Sequence, residues 1–235
     1  MILGENGIKM GKRFPEFVVN PSDIVREYGA DTLRLYEMFM GPLEVSKPWS
    51  ATGVAGAKKF INRVWNFFTV PSNLTKKDDG KLTKIYHQTV KKITSDFETL
   101  GFNTAIAQMM TFVNEVYKNG TCPREYAEGL IKMMSCITPH VGEEIWQVLG
   151  HDKTIAYESW PTYSEEKCKD DEVTVAVQIN GKMRGTVQMA ADLDEESVVA
   201  NVVADEKIAK ALEKQGGQIR KTIVVKNKLV NLIVK

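Results

Sequence analysis

Apolar residues recur at three- and four-residue spacing along the first two-thirds of the chain and alternate with polar ones beyond residue 172, so the pattern divides the molecule. Asn20-Pro21-Ser22-Asp23 reads as a helix start. Ile24, Tyr28, Leu33, Leu35 and Phe39 then keep helical company. Gly29-Ala30-Asp31 breaks the run into two helices, with Asp31 as the expected N-cap of the second and Gly41-Pro42 as its end. Ser50 precedes an amphipathic helix over 53–68, marked by Ala57, Phe60, Ile61, Val64, Phe67 and Phe68. A polar linker, 71–81, leads to a second long helix carrying Leu82, Ile85, Thr89, Ile93, Phe97 and Leu100, which Gly101 should stop. A third runs from Phe102 through Ala105, Ile106, Met109, Phe112, Val113 and Val116 to Asn119-Gly120. A fourth starts at Pro123, a favourable first helical position, and Thr138-Pro139 divides it from a last piece ending at Gly150. Helices of this length joined by short loops make an antiparallel bundle, with Met109, Met110, Met133 and Met134 as core filling.

Residues 151–171 turn polar and charged, which predicts a mobile linker. Beyond it, Val173, Val175, Val177 and Ile179 alternate with polar partners as a half-buried strand, Asn180-Gly181 is a turn, and Met183, Gly185, Val187 and Met189 alternate on the return. A two-residue loop would set Val177 opposite Arg184, mixing apolar and cationic residues on one face. One extra residue, as a three-residue loop or a bulge, restores the pairing of Val177 with Gly185 and Val175 with Val187. A longer loop is therefore expected, pairing Ile179 with Met183 and leaving Lys182 at the tip. Residues 194–214 read as helix in two pieces, the second capped by Asp205. Two strands close the chain, and the almost wholly apolar last one suits a central position.

The fold class expected is multidomain and mainly α: a helix bundle followed by a small α+β domain with two β-hairpins. Its boundaries are 1–48 for an N-terminal segment, 49–160 for the bundle, 161–172 for a linker and 173–235 for the small domain.

Composition changes this picture little. With 235 residues, 43% hydrophobic and 26% charged, the chain is an ordinary globular one. The net charge of +1 conceals an asymmetry, because five basic residues and no acidic one follow Gln215, which suits a polyanion partner. Cys122, Cys136 and Cys168 show no metal-type spacing and read as reduced thiols of a cytoplasmic protein. His87, His140 and His151 are isolated and read as structural, so no metal site is expected. No window reaches the length of a membrane span, and no partner membrane is expected. Lys9, Lys12 and Arg13 crowd a short loop containing Gly7 and Gly11, a place where cations can stabilise phosphate charge.

These residues carry a family likeness. KMGKR, residues 9–13, resembles the KMSKS signature of class I aminoacyl-tRNA synthetases, and the following segment to Trp49 resembles that of leucyl-tRNA synthetases. FNTAIAQMM (102–110) and PHVGEEIW (139–146) are similar to the tRNA-binding bundle of the same group, of the anticodon-binding type. VQINGKMRG (177–185) and the terminal KLVNLIV resemble the C-terminal domain of bacterial leucyl-tRNA synthetases. Gly11 and Arg13 replace the two serines of the usual pentad, and Gly11 should make the loop more flexible.

The resemblance implies the C-terminal part of a leucine-tRNA ligase, which in complete form attaches leucine to tRNA(Leu) through leucyl-adenylate with ATP and Mg2+. It implies catalytic roles for Lys9 and Lys12, with Lys12 stabilising pyrophosphate, and ATP contacts for Lys9, Met10, Gly11, Lys12 and Arg13. The bundle should meet the inside of the tRNA L without reading the anticodon. The small domain should meet the outer elbow. Lys58, Lys59 and Arg63 on one helix face, with Lys182, Arg184, Arg220, Lys226 and Lys228, are the cations available for phosphates. The family's HIGH signature, nucleotide-binding sheet and editing domain are missing from this sequence. Those missing domains are implied partners, the chain alone is expected to be an inactive monomer with no bound cofactor, and its loop is expected to be flexible or misplaced. A stand-alone RNA-binding module and a protein-binding bundle are the alternatives.

Overall fold

Local signals place the helices of the first 168 residues. In this computed structural model, which describes residues 1–169 and 172–235, the chain forms two compact units, Met1–Cys168 and Lys169–Lys235. In the first, β1 (Ile2–Leu3) is followed by α1 (Pro21–Tyr28), whose N-cap Asn20 accepts from the Ser22 amide, and by α2 (Ala30–Phe39). Next, β2 (Lys47–Pro48) pairs in parallel with β1, and α3 (Ala51–Phe68) starts where Ser50 accepts from the Gly53 amide. A short strand β3 (Leu74–Thr75) leads to α4 (Thr83–Glu98) and α5 (Phe102–Asn119). A further strand β4 (Cys122–Pro123), parallel to β3, opens the way to α6 (Arg124–Ser135) and α7 (Pro139–Val148).

The apolar stripes of α3 to α7 meet in one core, where Phe68, Ile93, Ile106, Met109, Phe112, Leu130, Met133 and Ile145 are fully buried. Each such side chain contributes about 1.5–3 kcal/mol on leaving water. Methionine serves here as core filling.

Three helix ends differ from the sequence reading. Pro123 is the extended N-cap of α6 (ψ 132°), and the helix begins at Arg124 rather than at the proline. Asp31 does not cap its own helix: Gly29 holds that position, and the Asp31 carboxylate reaches across to the start of α7, accepting from the Val141 amide at 2.8 Å. At the end of α4 the left-handed residue is Leu100 (φ 59°), whereas Gly101 has φ −80° and begins α5. The amide of Gly101 donates to the Asp96 carbonyl, so the turn closes one residue earlier than the glycine suggests.

Residues 151–168 do not hang free. Ile155 is buried, the Trp160 indole donates to Thr94 Oγ1, the Ser164 amide donates to His87 Nδ1, and the Gln88 amide donates to the Cys168 carbonyl. The expected mobility of that stretch is corrected by this packing on α4. Asp170 and Asp171, also in the expected linker, lie outside the described residues.

The second unit contains β5 (Glu172–Ile179), β6 (Lys182–Ala190), α8 (Glu195–Ala204), α9 (Glu206–Glu213), β7 (Ile219–Val225) and β8 (Leu229–Val234). The strand order is β6-β5-β8-β7, so the two hairpins join through a parallel β5–β8 pair, and the apolar β8 lies inside the sheet. Val175, Val177, Ile179, Val230 and Leu232 pack with Val202, Ile208 and Leu212 from the two helices. Asp194 and Asp205 cap α8 and α9 through their side chains.

The hairpin register corrects one expectation. Val177 faces Gly185 and Val175 faces Val187, but Ile179 pairs with Lys182 across a two-residue turn. Asn180 and Gly181 both have positive φ (50° and 75°), the geometry that Asn-Gly favours. The extra residue is instead Arg184, a bulge between the pairs Gln178–Met183 and Val177–Gly185.

Candidate nucleic-acid interface

The basic N-terminal loop is built from short local bonds. The Gly4 amide donates to the Ile8 carbonyl, the Gly7 amide to the Gly4 carbonyl, and the Ile8 amide to Asn6 Oδ1. Met10 is half-buried and its sulfur accepts from the Val19 amide at 3.5 Å, which pins the middle of the loop. Around that pin Lys9, Gly11, Lys12 and Arg13 are exposed, and the Arg13 guanidinium lies 5.5 Å from the Phe14 ring centre. Gly11 is outside the left-handed region and a Cβ there would meet nothing within 4 Å, so its backbone does not demand glycine.

On the bundle, the three cations of α3 diverge. Lys58 is half-buried beside the cavity formed with Asp31 and His140. Lys59 is exposed. Arg63 turns towards α5, its guanidinium 4.7 Å from the Tyr117 ring centre, while the Tyr117 hydroxyl donates to the Arg63 carbonyl. This pair offers a cation stacked on an aromatic face, a surface suited to bases and phosphates.

In the second unit Lys182 stands just after the hairpin turn and Arg184 occupies the bulge. Arg220 and Lys228 are exposed. Lys226 is already engaged, 3.0 Å from Asp192, in a contact that also ties Asn227 to Asp192 through two hydrogen bonds. The Lys226 ammonium is the leading cause of the lowered pKa of that carboxyl. Lys207, Lys210 and Lys214 are not singled out by the sequence reading. They line the same concavity as Arg184, and their i, i+3, i+7 spacing is the signal that could have found them.

Burial would raise the Asp78 carboxyl, but hydrogen bonds from Thr83, Tyr126 and the Gly80 amide outweigh it and hold the pKa down. Burial and the Asp78 contact push Tyr126 up to about 12, and burial takes the Cys122 thiol to about 12, leaving it inert at neutral pH. His87 is held below its ordinary value by burial and by the charge of Lys167. His140 bonds Asp31, and His151 bonds Glu128 while stacking on Trp146. Among the described residues no group of three or more His, Cys, Asp or Glu is placed to hold a metal, and no helix is long and apolar enough to cross a membrane.

Residues 79–200, just over half of the chain, match the anticodon-binding domain of tRNA ligase. The chain belongs to that family. This tRNA-ligase domain is also similar to a chain in the crystal structure of the ternary complex of Agrobacterium radiobacter K84 agnB2 LeuRS, tRNA and LeuAMS. The two share 26% identity with a TM-score of 0.83 over 100% of the tRNA-ligase domain's chain, which spans 33% of the LeuRS chain. The family match runs through α4 to α7 of the bundle and on through β5 and β6 into α8 of the second unit.

Proposed function

We propose that this chain is the tRNA-binding C-terminal part of a bacterial leucyl-tRNA synthetase, and that it contributes a KMSKS-type loop to the complete ligase. The observation that carries the reading is the likeness to a LeuRS solved with tRNA, which extends over this whole chain. Cations on both units support it: exposed Lys59, and Arg63 stacked on Tyr117, on the bundle, and exposed Lys182, Arg220 and Lys228 on the second unit. Such groups bind RNA through backbone charge, base faces and the shape of the tRNA rather than through sequence readout, so discrimination between tRNAs rests on shape.

In the complete enzyme the leucine carboxylate attacks the α-phosphorus of ATP, pyrophosphate leaves, and a ribose hydroxyl of tRNA(Leu) then displaces AMP. Lys9, Lys12 and Arg13 bear exposed charges that suit the phosphate oxygens on which negative charge grows in the first step. Lys12 is assigned to the departing pyrophosphate and Lys9 to the same ATP phosphates. Mg2+ accompanies the ATP.

A partner surface for the catalytic domain fits the first 48 residues, where Ile8, Val18, Leu43 and Val45 are each about half exposed. The three unpaired thiols fit a cytoplasmic protein. The chain by itself is expected to be a monomer that does not activate leucine.

The test is competition binding, at low salt, of tRNA(Leu) against a tRNA of another specificity. Preferential binding of tRNA(Leu) is expected. Equal binding of both would remove the leucine assignment, and no binding of either would remove the RNA-binding reading.

A further inference from the structure

We propose that Arg184, Lys207, Lys210 and Lys214 form a binding site for phosphodiester groups of an RNA backbone, in the concavity between β6 and α9. The inference deepens the proposed tRNA-binding role and rests on it. The bulge sets the site. As the unpaired residue of the β5–β6 ladder, Arg184 leaves the strict alternation of β6 and lines a cavity of about 360 Å³ together with residues of α9.

The next residue keeps the walls close. Gly185 faces Val177, and a Cβ on it would lie 3.3 Å from Ile208 Cδ1, so the Ile208 side chain of α9 sits close against β6 there. Ile208 and Leu212 anchor the helix in the core, which leaves Lys207, Lys210 and Lys214 exposed on the neighbouring face at the same rim.

Two features separate this cluster from an ordinary solvated lysine face. First, four cationic side chains line the cavity and no acidic residue does. None of the four has a carboxylate within ion-pair distance among the described residues. Second, Arg184 Nε is buried from solvent and has no hydrogen-bond acceptor. A buried N–H of a charged group is costly to leave unmade, and an anion in the cavity supplies an acceptor for the guanidinium that lines it and the countercharge for all four cations. Guanidinium with phosphate is the favoured pairing for such a donor fork. The donors are long side chains along an open rim of about two helical turns, a layout that follows successive phosphates of a strand rather than enclosing one free ion.

The experiment uses the full chain with Arg184→Met and, separately, Lys207→Gln/Lys210→Gln, whose exposed positions leave the core untouched. Affinity for tRNA(Leu) is measured at several salt concentrations between about 50 and 200 mM. Each variant should bind about three- to tenfold more weakly and lose roughly one unit of salt slope per phosphate contact removed. In a second arm inorganic phosphate is titrated while the Arg184 Nε–H signal is followed by NMR. Weak, non-saturating shifts are expected there, with tRNA moving the signal at far lower concentration. Normal tRNA binding by the wild type with unchanged affinity and slope in both variants would overturn the site and leave the tRNA-binding role standing. Saturable phosphate binding without any effect of the variants on tRNA would reassign the cavity to a free phosphate and overturn the proposal. A wild type that binds no tRNA would overturn both.

Discussion

Removing the Asp31 carboxylate should loosen the start of α7 and cost the first unit about 2–3 kcal/mol. Asp31 is 6% exposed, and one of its oxygens accepts from the Val141 amide while the other contacts His140 Nδ1, both at 2.8 Å. Asp31→Ala deletes a capping acceptor, worth about 0.5–2 kcal/mol, and leaves a helix N-terminal amide unpaired beside the core. Hydrogen bonds to charged groups contribute about 1.5–3 kcal/mol, which sets the upper end. The ion pairs add little, since the side chains of His140 and Arg34 are 69% and 48% exposed. Asp31→Asn keeps an acceptor for Val141 and should lose about half as much. All four tryptophans, Trp49, Trp65, Trp146 and Trp160, lie in the first unit, so urea unfolding followed by their emission reports that unit alone. A loss below about 0.5 kcal/mol for Asp31→Ala, the size of an ordinary surface substitution, would refute the cross-helix cap.

Other changes probe the packing and the charges. Gly129→Ala should cost about 1–3 kcal/mol, because its new Cβ would collide with the Tyr86 hydroxyl, and the loss should shrink in a Tyr86→Phe background; equal losses in both would contradict the contact. Leu100→Gly should raise stability by about 0.5–1 kcal/mol in the same urea assay, since the relief of a left-handed leucine exceeds the added chain entropy. Acid should weaken the first unit in two stages. His87 titrates below its ordinary 6.5 in the folded chain, so its contribution is complete above that pH and declines as pH falls through the folded value. Glu128 and Asp78 are likewise lowered, so theirs is present above about pH 4.5 and lost at lower pH. His87→Gln should remove the first stage from a plot of urea midpoint against pH and keep the second.

How far the chain could be read from its residues depended on whether the deciding contact was local. Helix starts at Asn20, Ser50 and Asp205 use their own side chains on amides two or three residues away, and these were legible. Asp31 carries the same chemistry, but its partner amide is 110 residues distant, and no local pattern points to it. The apolar alternation of β5 and β6 called correctly for one extra residue. Its position was missed because Asn-Gly holds a two-residue turn more firmly than the strand holds strict pairing, so the irregularity moved to Arg184. The polar stretch 151–168 looked like a tether, although Ile155 and Trp160 were its signs of docking. The basic loop at 9–13 was legible as charge. The cluster on α9 was not, because its lysines gain meaning only beside a bulge.

The salt dependence of tRNA(Leu) affinity tests the central claim most directly. Exposed cations on both units predict binding that weakens steeply with salt, losing roughly 0.7–0.9 of a log unit in the association constant per log unit of salt for each phosphate neutralised, with several phosphates engaged. Undetectable binding at low salt, or an affinity that salt leaves unchanged, would contradict the account.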